Sequence, residues 1–383
     1  MESIIHLEMN RILFIVSEDW YFYSHRLYLA KIAIKLGYKV ALLSHYTNHR
    51  DKIKQDGIEV INWPLNRSTK NLLQEIKAIK SVASSINNFQ PSVIYAVAMK
   101  PVLYSAIACF LSGFKNRVFA LAGLGFIFTS KKRSVKVLRL LMEFVFRLLF
   151  KGNNTRLILQ NPEDQSALLS AKVINKNYLR LIRGAGVDTT SFHYQKIPNE
   201  IPVIILPARM LWAKGIQDFV DCAIEINKKV KKARFVLVGT PDIQNPDAIS
   251  KVRLKKWNEE GVIEWWGHQS DMVKVYHQST IVCLPTTYGE GLPKSLLEAA
   301  SCGRPIVTYD VPGCREIVID GYNGFLVKAK RVDDLISAIS NLLDDRELCI
   351  KMGKNGRKLV EKYFTQEKIA QETMAVWEEL LVS

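Results

Sequence analysis

The sequence predicts an α/β protein built from two doubly wound, Rossmann-like domains facing a central cleft. Three observations point there. Unbroken apolar runs of strand length alternate with segments of helical period along most of the chain, as in parallel sheets covered on both faces. The alternation pauses at a connector bearing glycine, aspartate and proline, Gly184 to Glu200, and restarts at Pro202. A length of 383 residues suits two domains of ordinary size, each with a core of its own. Residues 1–190 are assigned to the first domain and 191–365 to the second. Residues 366–383 form a last helix that is a candidate to cross back onto the first domain.

The elements follow in order. Arg11 to Val16 is a buried strand, and a helix from Ser24 to Leu36 follows, ended by Gly37. Strands continue at Lys39 to Leu43, Ile58 to Ile61, Ser92 to Val97, Arg117 to Leu121, Arg156 to Gln160 and Tyr178 to Ile182. Helical patterns lie at Lys70 to Ile86 and Val102 to Leu111. The second series reads Pro202 to Pro207, Arg234 to Val238, Val262 to Trp265, Ile281 to Leu284 and Ile306 to Tyr309.

A formal net charge of +16 implies an anionic partner: nucleic acid, acidic lipid or a phosphorylated substrate. No nucleic-acid recognition motif accompanies the charge, which argues against that partner. No G-x-G-x-x-G follows the first strand, which argues against nicotinamide chemistry. The six cysteines, Cys109, Cys222, Cys283, Cys302, Cys314 and Cys349, form no C-x-x-C pair and read as buried reduced thiols. With no signal peptide and no apolar run long enough to span a bilayer, a cytoplasmic location is expected.

The stretch richest in chemistry runs from Gly289 to Gly313. It reads strand, glycine loop, helix, strand, so a helix N-terminus lies at the carboxyl end of a parallel strand, where anions bind. Backbone N–H groups of Gly291 and Leu292 would face phosphate, Glu290 could reach a sugar, and Glu298 could accept from ribose hydroxyls. The plainer alternative is a capped helix with solvated glutamates. At the restart, Arg209 and Lys214 fall at the carboxyl end of the second domain's first strand. Two cations there suit a diphosphate leaving group, whose charge grows as its bond breaks; ordinary surface cations are the alternative.

Taken together, Arg209, Lys214-Gly215, Gly267-His268 and Glu290-Gly-Leu-Pro-x4-Glu298 resemble family-4 glycosyltransferases of the GT-B fold, as does Pro312 to Val327. The first half resembles that family through Trp20-Tyr-Phe-Tyr-Ser-His-Arg26 and Gly123-Leu-Gly-Phe126. The resemblance is greatest to bacterial enzymes that extend lipid-linked or surface polysaccharides. It implies a retaining transfer of a hexose or N-acetylhexosamine from a nucleotide-sugar donor to a lipid-linked saccharide. UDP is the favoured donor nucleotide, and GDP stays open.

By the same resemblance Arg209 and Lys214 hold the diphosphate and Glu290 contacts the sugar or its cationic transition state. Glu298 takes the ribose, Gly267 and His268 meet the base, and Gly291, Leu292 and Pro293 meet the phosphates. Tyr21, Arg26, Gly123 and Gly125 fall on the acceptor side. No metal and no cofactor are implied, and no Asp-x-Asp occurs; Asp333-Asp334 and Asp344-Asp345 read as solvated charges or caps.

The chain also departs from the family. Ser17-Glu-Asp-Trp-Tyr-Phe-Tyr stands where many members have a glycine pair, and no histidine accompanies Ala120 to Gly123. His25, expected at the start of the first helix, is the candidate substitute; capping or packing is its plainer role.

Lys131 to Lys151 carries Lys132, Lys136, Arg139, Glu143 and Arg147 along one narrow stripe, with apolar residues over the remaining arc. This fits a helix on an anionic membrane surface, making the protein peripheral at the inner face of the cytoplasmic membrane. It fits equally a core helix with one wet edge. Two other function classes stay open at this stage: a nucleotide-sugar epimerase or hydrolase of the same fold, and a non-catalytic binder of nucleotide sugars or nucleic acid.

Overall fold

The computed structural model describes residues 10–65, 71–124, 133–228, 233–243, 245–287 and 289–382, with backbone alone for 133–138. The chain forms two compact units. One comprises the residues up to Ala185 together with Glu367 onward, and the other spans Gly186–Gln366.

The first unit carries strands β1 (Arg11–Glu18), β2 (Lys39–His45), β3 (Glu59–Asn62), β4 (Val93–Val97), β5 (Arg117–Leu121), β6 (Thr155–Leu159) and β7 (Leu179–Leu181). They lie in the order β3-β2-β1-β4-β5-β6-β7, every neighbouring pair parallel. The helices are α1 (Asp19–His25), α2 (Leu27–Lys35), α3 (Arg50–Gln55), α4 (Leu72–Phe89), α5 (Met99–Ser112), α6 (Arg133–Leu149) and α7 (Pro162–Ser170). Strands β4 and β5 are buried at every position, because helices cover both faces of the sheet.

In the second unit β8 (Val203–Pro207), β9 (Arg234–Val238), β10 (Glu264–Gly267), β11 (Ile281–Leu284), β12 (Ile306–Tyr309) and β13 (Gly324–Val327) form another parallel sheet, ordered β10-β9-β8-β11-β12-β13. Its helices are α8 (Ile216–Lys228), α9 (Lys251–Glu259), α10 (Met272–Gln278), α11 (Lys294–Ser301), α12 (Val332–Asp344) and α13 (Arg346–Tyr363). The closing helix α14 (Gln366–Leu381) packs into the first unit. There Trp377 is fully buried against Phe14 and Tyr95, and Glu379 receives hydrogen bonds from Arg156 and Arg180. All six cysteines are free and buried.

Two local expectations need correction. The first helix does not begin at Ser24. A helix runs from Asp19 to His25, the chain breaks at Arg26, and a second helix follows. The reason is a long-range anchor: the buried Asp19 carboxylate accepts from the Thr47 hydroxyl and from the backbone N–H groups of Thr47 and His49. His25 therefore closes a helix rather than opening one. The second correction is β13, an edge strand that the series of apolar runs did not include.

Candidate nucleotide-sugar site

In the second unit strand order reverses between β8 and β11, and the loops leaving their carboxyl ends define a crevice suited to ligands. The loop after β8 holds Arg209 and ends in a single helical turn, Trp212–Lys214. That turn is pinned from outside, since the Asp247 carboxylate accepts from the Ala213 N–H at 2.8 Å. Gly215 follows with φ +76°, and a Cβ there would stand 2.0 Å from the Pro285 carbonyl oxygen. Only glycine permits both the backbone and the close approach. The loop after β11 closes on the same turn: the Thr287 N–H donates to the Ala213 carbonyl at 2.9 Å.

This stitching brings Lys214 and Glu290 into direct contact. The Lys214 ammonium donates to Glu290 Oε1, and the Thr286 hydroxyl lies 3.4 Å from the same oxygen. Both side chains are largely buried, 10% and 17% exposed. Arg209 does not join them; its guanidinium donates to Asp242 at 2.7 Å, on the turn after β9. Each cation expected to meet phosphate thus carries a carboxylate of its own. Cys314 lies near this pair, but burial pushes its thiol up to about 12, so it stays protonated.

Beyond Glu290 the chain enters α11 through Gly291, buried Leu292 and Pro293, which occupies the N-cap. Gly313 (φ +84°) closes this loop from behind, with a Cβ position 2.1 Å from the Gly291 carbonyl oxygen. Glu298 is one turn into the helix and 8% exposed. Its Oε2 accepts from the Tyr276 hydroxyl at 3.0 Å, and its Oε1 lies 3.2 Å from Lys294 Nζ. Burial, reinforced by the Glu298 charge, raises the Tyr276 pKa well above the ordinary tyrosine value, so that hydroxyl is a fixed donor. Gly267 and His268 stand at the carboxyl end of β10, two strands out from β8. There the Gly267 carbonyl accepts from Gly239, and His268 is exposed.

In the first unit the order reverses between β1 and β4. Tyr21, on the helix that leaves β1, stacks on His25 at 4.3 Å. His25 Nδ1 lies 2.6 Å from the Ser24 hydroxyl. Arg26 is turned inward, 3% exposed, donating to the His25 carbonyl. Gly123 (φ +101°) lies just beyond β5, while Gly125 and the Lys131-Lys132 pair lie outside the described residues.

Sequence reasoning missed Asp242, Thr286, Tyr276 and Lys294 as site groups, and it missed Ala98. Ala98, just after β4, adopts φ +81° and ψ 163°, a region that residues other than glycine rarely occupy. The signal available for Asp242 was its turn, Thr240-Pro-Asp242, directly after a strand of the same series. For the others no local signal existed. Among the described residues, no three His, Cys, Asp or Glu side chains gather as a metal-holding group.

Residues 188–359 match the family described as glycosyl transferases group 1, and residues 11–161 match glycosyl transferase 4-like. The chain is 26% identical over 346 residues to the Campylobacter jejuni N,N'-diacetylbacillosaminyl-diphospho-undecaprenol alpha-1,3-N-acetylgalactosaminyltransferase, covering 87% of this chain and 89% of that one. It is 24% identical to the Escherichia coli UDP-Gal:alpha-D-GlcNAc-diphosphoundecaprenol alpha-1,3-galactosyltransferase, covering 82% of each. Among solved structures, Anabaena HepE in complex with UDP superposes with a TM-score of 0.75 at 17% identity, over 97% of this chain and all of that one.

Proposed function

From the premise that this chain belongs to the family-4, group 1 glycosyltransferases of the GT-B fold, we propose that it moves a hexose or N-acetylhexosamine from a UDP-sugar to a lipid-linked saccharide. The observation that carries the reading is the Lys214–Glu290 pair at the crevice between β8 and β11. The C. jejuni and E. coli relatives, named for transfer to diphospho-undecaprenol sugars, and a neighbour solved with UDP support the choice of donor and acceptor.

In this reading the donor diphosphate enters beside Lys214 and Arg209 and draws them partly away from Glu290 and Asp242. Amides of Gly291 and Leu292, at the positive end of α11, add fixed donors. The bond from the sugar's anomeric carbon to the β-phosphate oxygen breaks, and UDP leaves with both electrons. The cations stabilise the charge that develops on it. Glu290, released from Lys214, faces the electron-poor anomeric carbon, and Glu298 takes the ribose hydroxyls through Oε1. Gly267 and His268 border the base.

The acceptor hydroxyl attacks on the face that the phosphate leaves and passes its proton to that phosphate, so configuration is retained. No metal enters this scheme. Tyr21, His25 and Gly123 mark the acceptor side of the first unit.

We place the enzyme at the membrane surface, where such acceptors reside. Among the described residues no helix is long and apolar enough to cross a bilayer. Helix α6 instead exposes Leu140, Leu141, Phe144 and Leu148 beside Arg139 and Arg147, a composition suited to an anionic interface.

The test is product analysis with a panel of nucleotide sugars, with and without a lipid-linked acceptor. Transfer that requires the acceptor and survives chelation is the expected result. Acceptor-independent turnover would replace the transferase reading with hydrolysis or epimerisation, and loss of transfer on chelation would refute the metal-free scheme.

A further inference from the structure

Helix α6 ends over a second basic feature that the donor chemistry does not use. A cavity of about 380 Å³ lies where the carboxyl ends of α6 and α7 meet, lined by Arg147, Phe150, Lys151, Gly152, Lys172 and Tyr178 among others. No described residue lining it is a carboxylate. The cations are placed by the backbone. Arg147 Nε donates to the Ala171 carbonyl at 3.1 Å. Lys172 holds φ +52° just past the end of α7, a position that normally selects glycine or asparagine.

A further cation stands behind the wall. Arg117 is 8% exposed and, among the described residues, donates only to carbonyls, those of Leu149 and Lys151, and leaves Nε without a partner. Gly152 leaves Arg117 Nη2 3.8 Å from where its Cβ would stand.

Cations at helix ends are ordinarily explained by the helix dipole, so the charges decide the matter. Two carboxyl-terminal helix ends supply roughly half a negative charge each. Against them stand Arg117, Arg147, Lys151 and Lys172. Among the described residues Arg147 pairs with one carboxylate, Glu143, at 3.7 Å, which already receives Arg139 at 2.7 Å. A positive excess remains around a hollow with aromatic walls.

The geometry points to this hollow as the seat of a phosphate headgroup from an anionic phospholipid. What selects a lipid is the neighbouring surface. Leu140, Phe144 and Leu148 are exposed at four-residue spacing on one line of the helix, and Lys151, two residues past the helix end, lines the cavity. With the apolar line among acyl chains, the cavity sits at headgroup level. The inference rests on the membrane placement proposed above.

The experiment is co-sedimentation of the full chain with vesicles of phosphatidylcholine, alone or mixed with phosphatidylglycerol. The wild type partitions to the mixed vesicles. The Lys151→Ala/Lys172→Ala variant loses about fivefold in partitioning for each lysine, or about twenty-five- to thirtyfold together. A control pair in the second unit, Lys354→Ala/Lys358→Ala, changes partitioning less than about twofold if the effect is local.

An equal loss in the control pair would overturn the pocket in favour of general attraction. Inorganic phosphate binding that Lys151→Ala/Lys172→Ala abolishes, with vesicle partitioning unchanged in that variant, would overturn the lipid as occupant. Transfer to a short-chain soluble acceptor is measured in parallel and stays at the wild-type rate in Lys151→Ala/Lys172→Ala. Vesicle binding that depends on these lysines, with no transfer by any variant or the wild type, would sink the transferase reading and leave the pocket standing.

Discussion

Replacing Glu290 by glutamine should make UDP bind more tightly while making the enzyme slower. In the structure Lys214 is neutralised by Glu290, and both side chains are mostly out of water. A phosphate that reaches Lys214 from its open side would sit roughly 5–6 Å from the carboxylate charge. At an effective dielectric near 20, two such charges repel by about 3 kcal/mol. Partial exposure, salt and small shifts reduce this to about 1–2 kcal/mol. Glutamine removes the repulsion and leaves Lys214 a buried cation in want of an anion.

UDP affinity should therefore rise about five- to thirtyfold, read by titration calorimetry with wild type and variant at one ionic strength. Turnover should move the other way, falling about a hundredfold or more, because in the proposed scheme Glu290 supplies the charge that faces the developing cation. A variant that binds UDP more weakly and keeps its rate would refute the placement of this pair beside the diphosphate.

Three further outcomes follow from the same geometry. Lys214→Met and Arg209→Ala should each weaken UDP by about 1.5–3 kcal/mol, the range for charge-assisted hydrogen bonds, with the more exposed Arg209 at the lower end; unchanged calorimetric affinity in both would remove the phosphate assignment. Gly313→Ala, whose methyl would stand 2.1 Å from the Gly291 oxygen, should cost at least about 1 kcal/mol from the left-handed backbone alone and abolish UDP binding; a variant that melts and binds as wild type would contradict the close approach of these two loops.

Asp19 supplies a pH dependence. Burial pushes its carboxyl up, but the hydrogen bonds from Thr47 and His49 outweigh burial and hold it below the usual aspartate value. Its contribution is complete above the unfolded value near about pH 4 and is lost as pH falls through the lower native value. Asp19→Asn should cost about 1–3 kcal/mol at neutral pH and progressively less in acid, measured by urea denaturation followed through tryptophan fluorescence. A cost that stays constant down to pH about 2 would reject the ionised, hydrogen-bonded state.

Much of the fold was legible because its strands are buried on both faces. Continuous runs such as Val93 to Val97 and Val203 to Pro207 carry no polar alternation to confuse them, and they sit in the sheets where the alternation placed them. What failed was governed by distant partners. The helix from Asp19 contains Trp20, Tyr21, Phe22 and Tyr23, which have no strong helical preference. Its first residue is secured by Thr47 and His49, close to thirty positions away. Strand β13 is four residues with only its ends buried, too short for a period to show.

The candidate site divides along the same line. Its loops could be anticipated, since a parallel strand followed by glycine and a helix start is a local pattern, and both loops fall where strand order reverses. Its pairings could not. Lys214 meets Glu290 across 76 positions and Arg209 meets Asp242 across 33, and no periodicity links such residues. The pairings change the expected chemistry: instead of two open cations, the crevice presents two cations already neutralised. An incoming anion must displace carboxylates, so a simple phosphate gains little. A ligand that also engages the α11 amides, Glu298 and the β10 end can recover that loss through added contacts. In the proposed scheme, selectivity for a whole nucleotide over free phosphate follows from the carboxylates themselves. Glu290→Gln should relax it, with inorganic phosphate becoming a measurable competitor of UDP in the variant while remaining a poor one in the wild type.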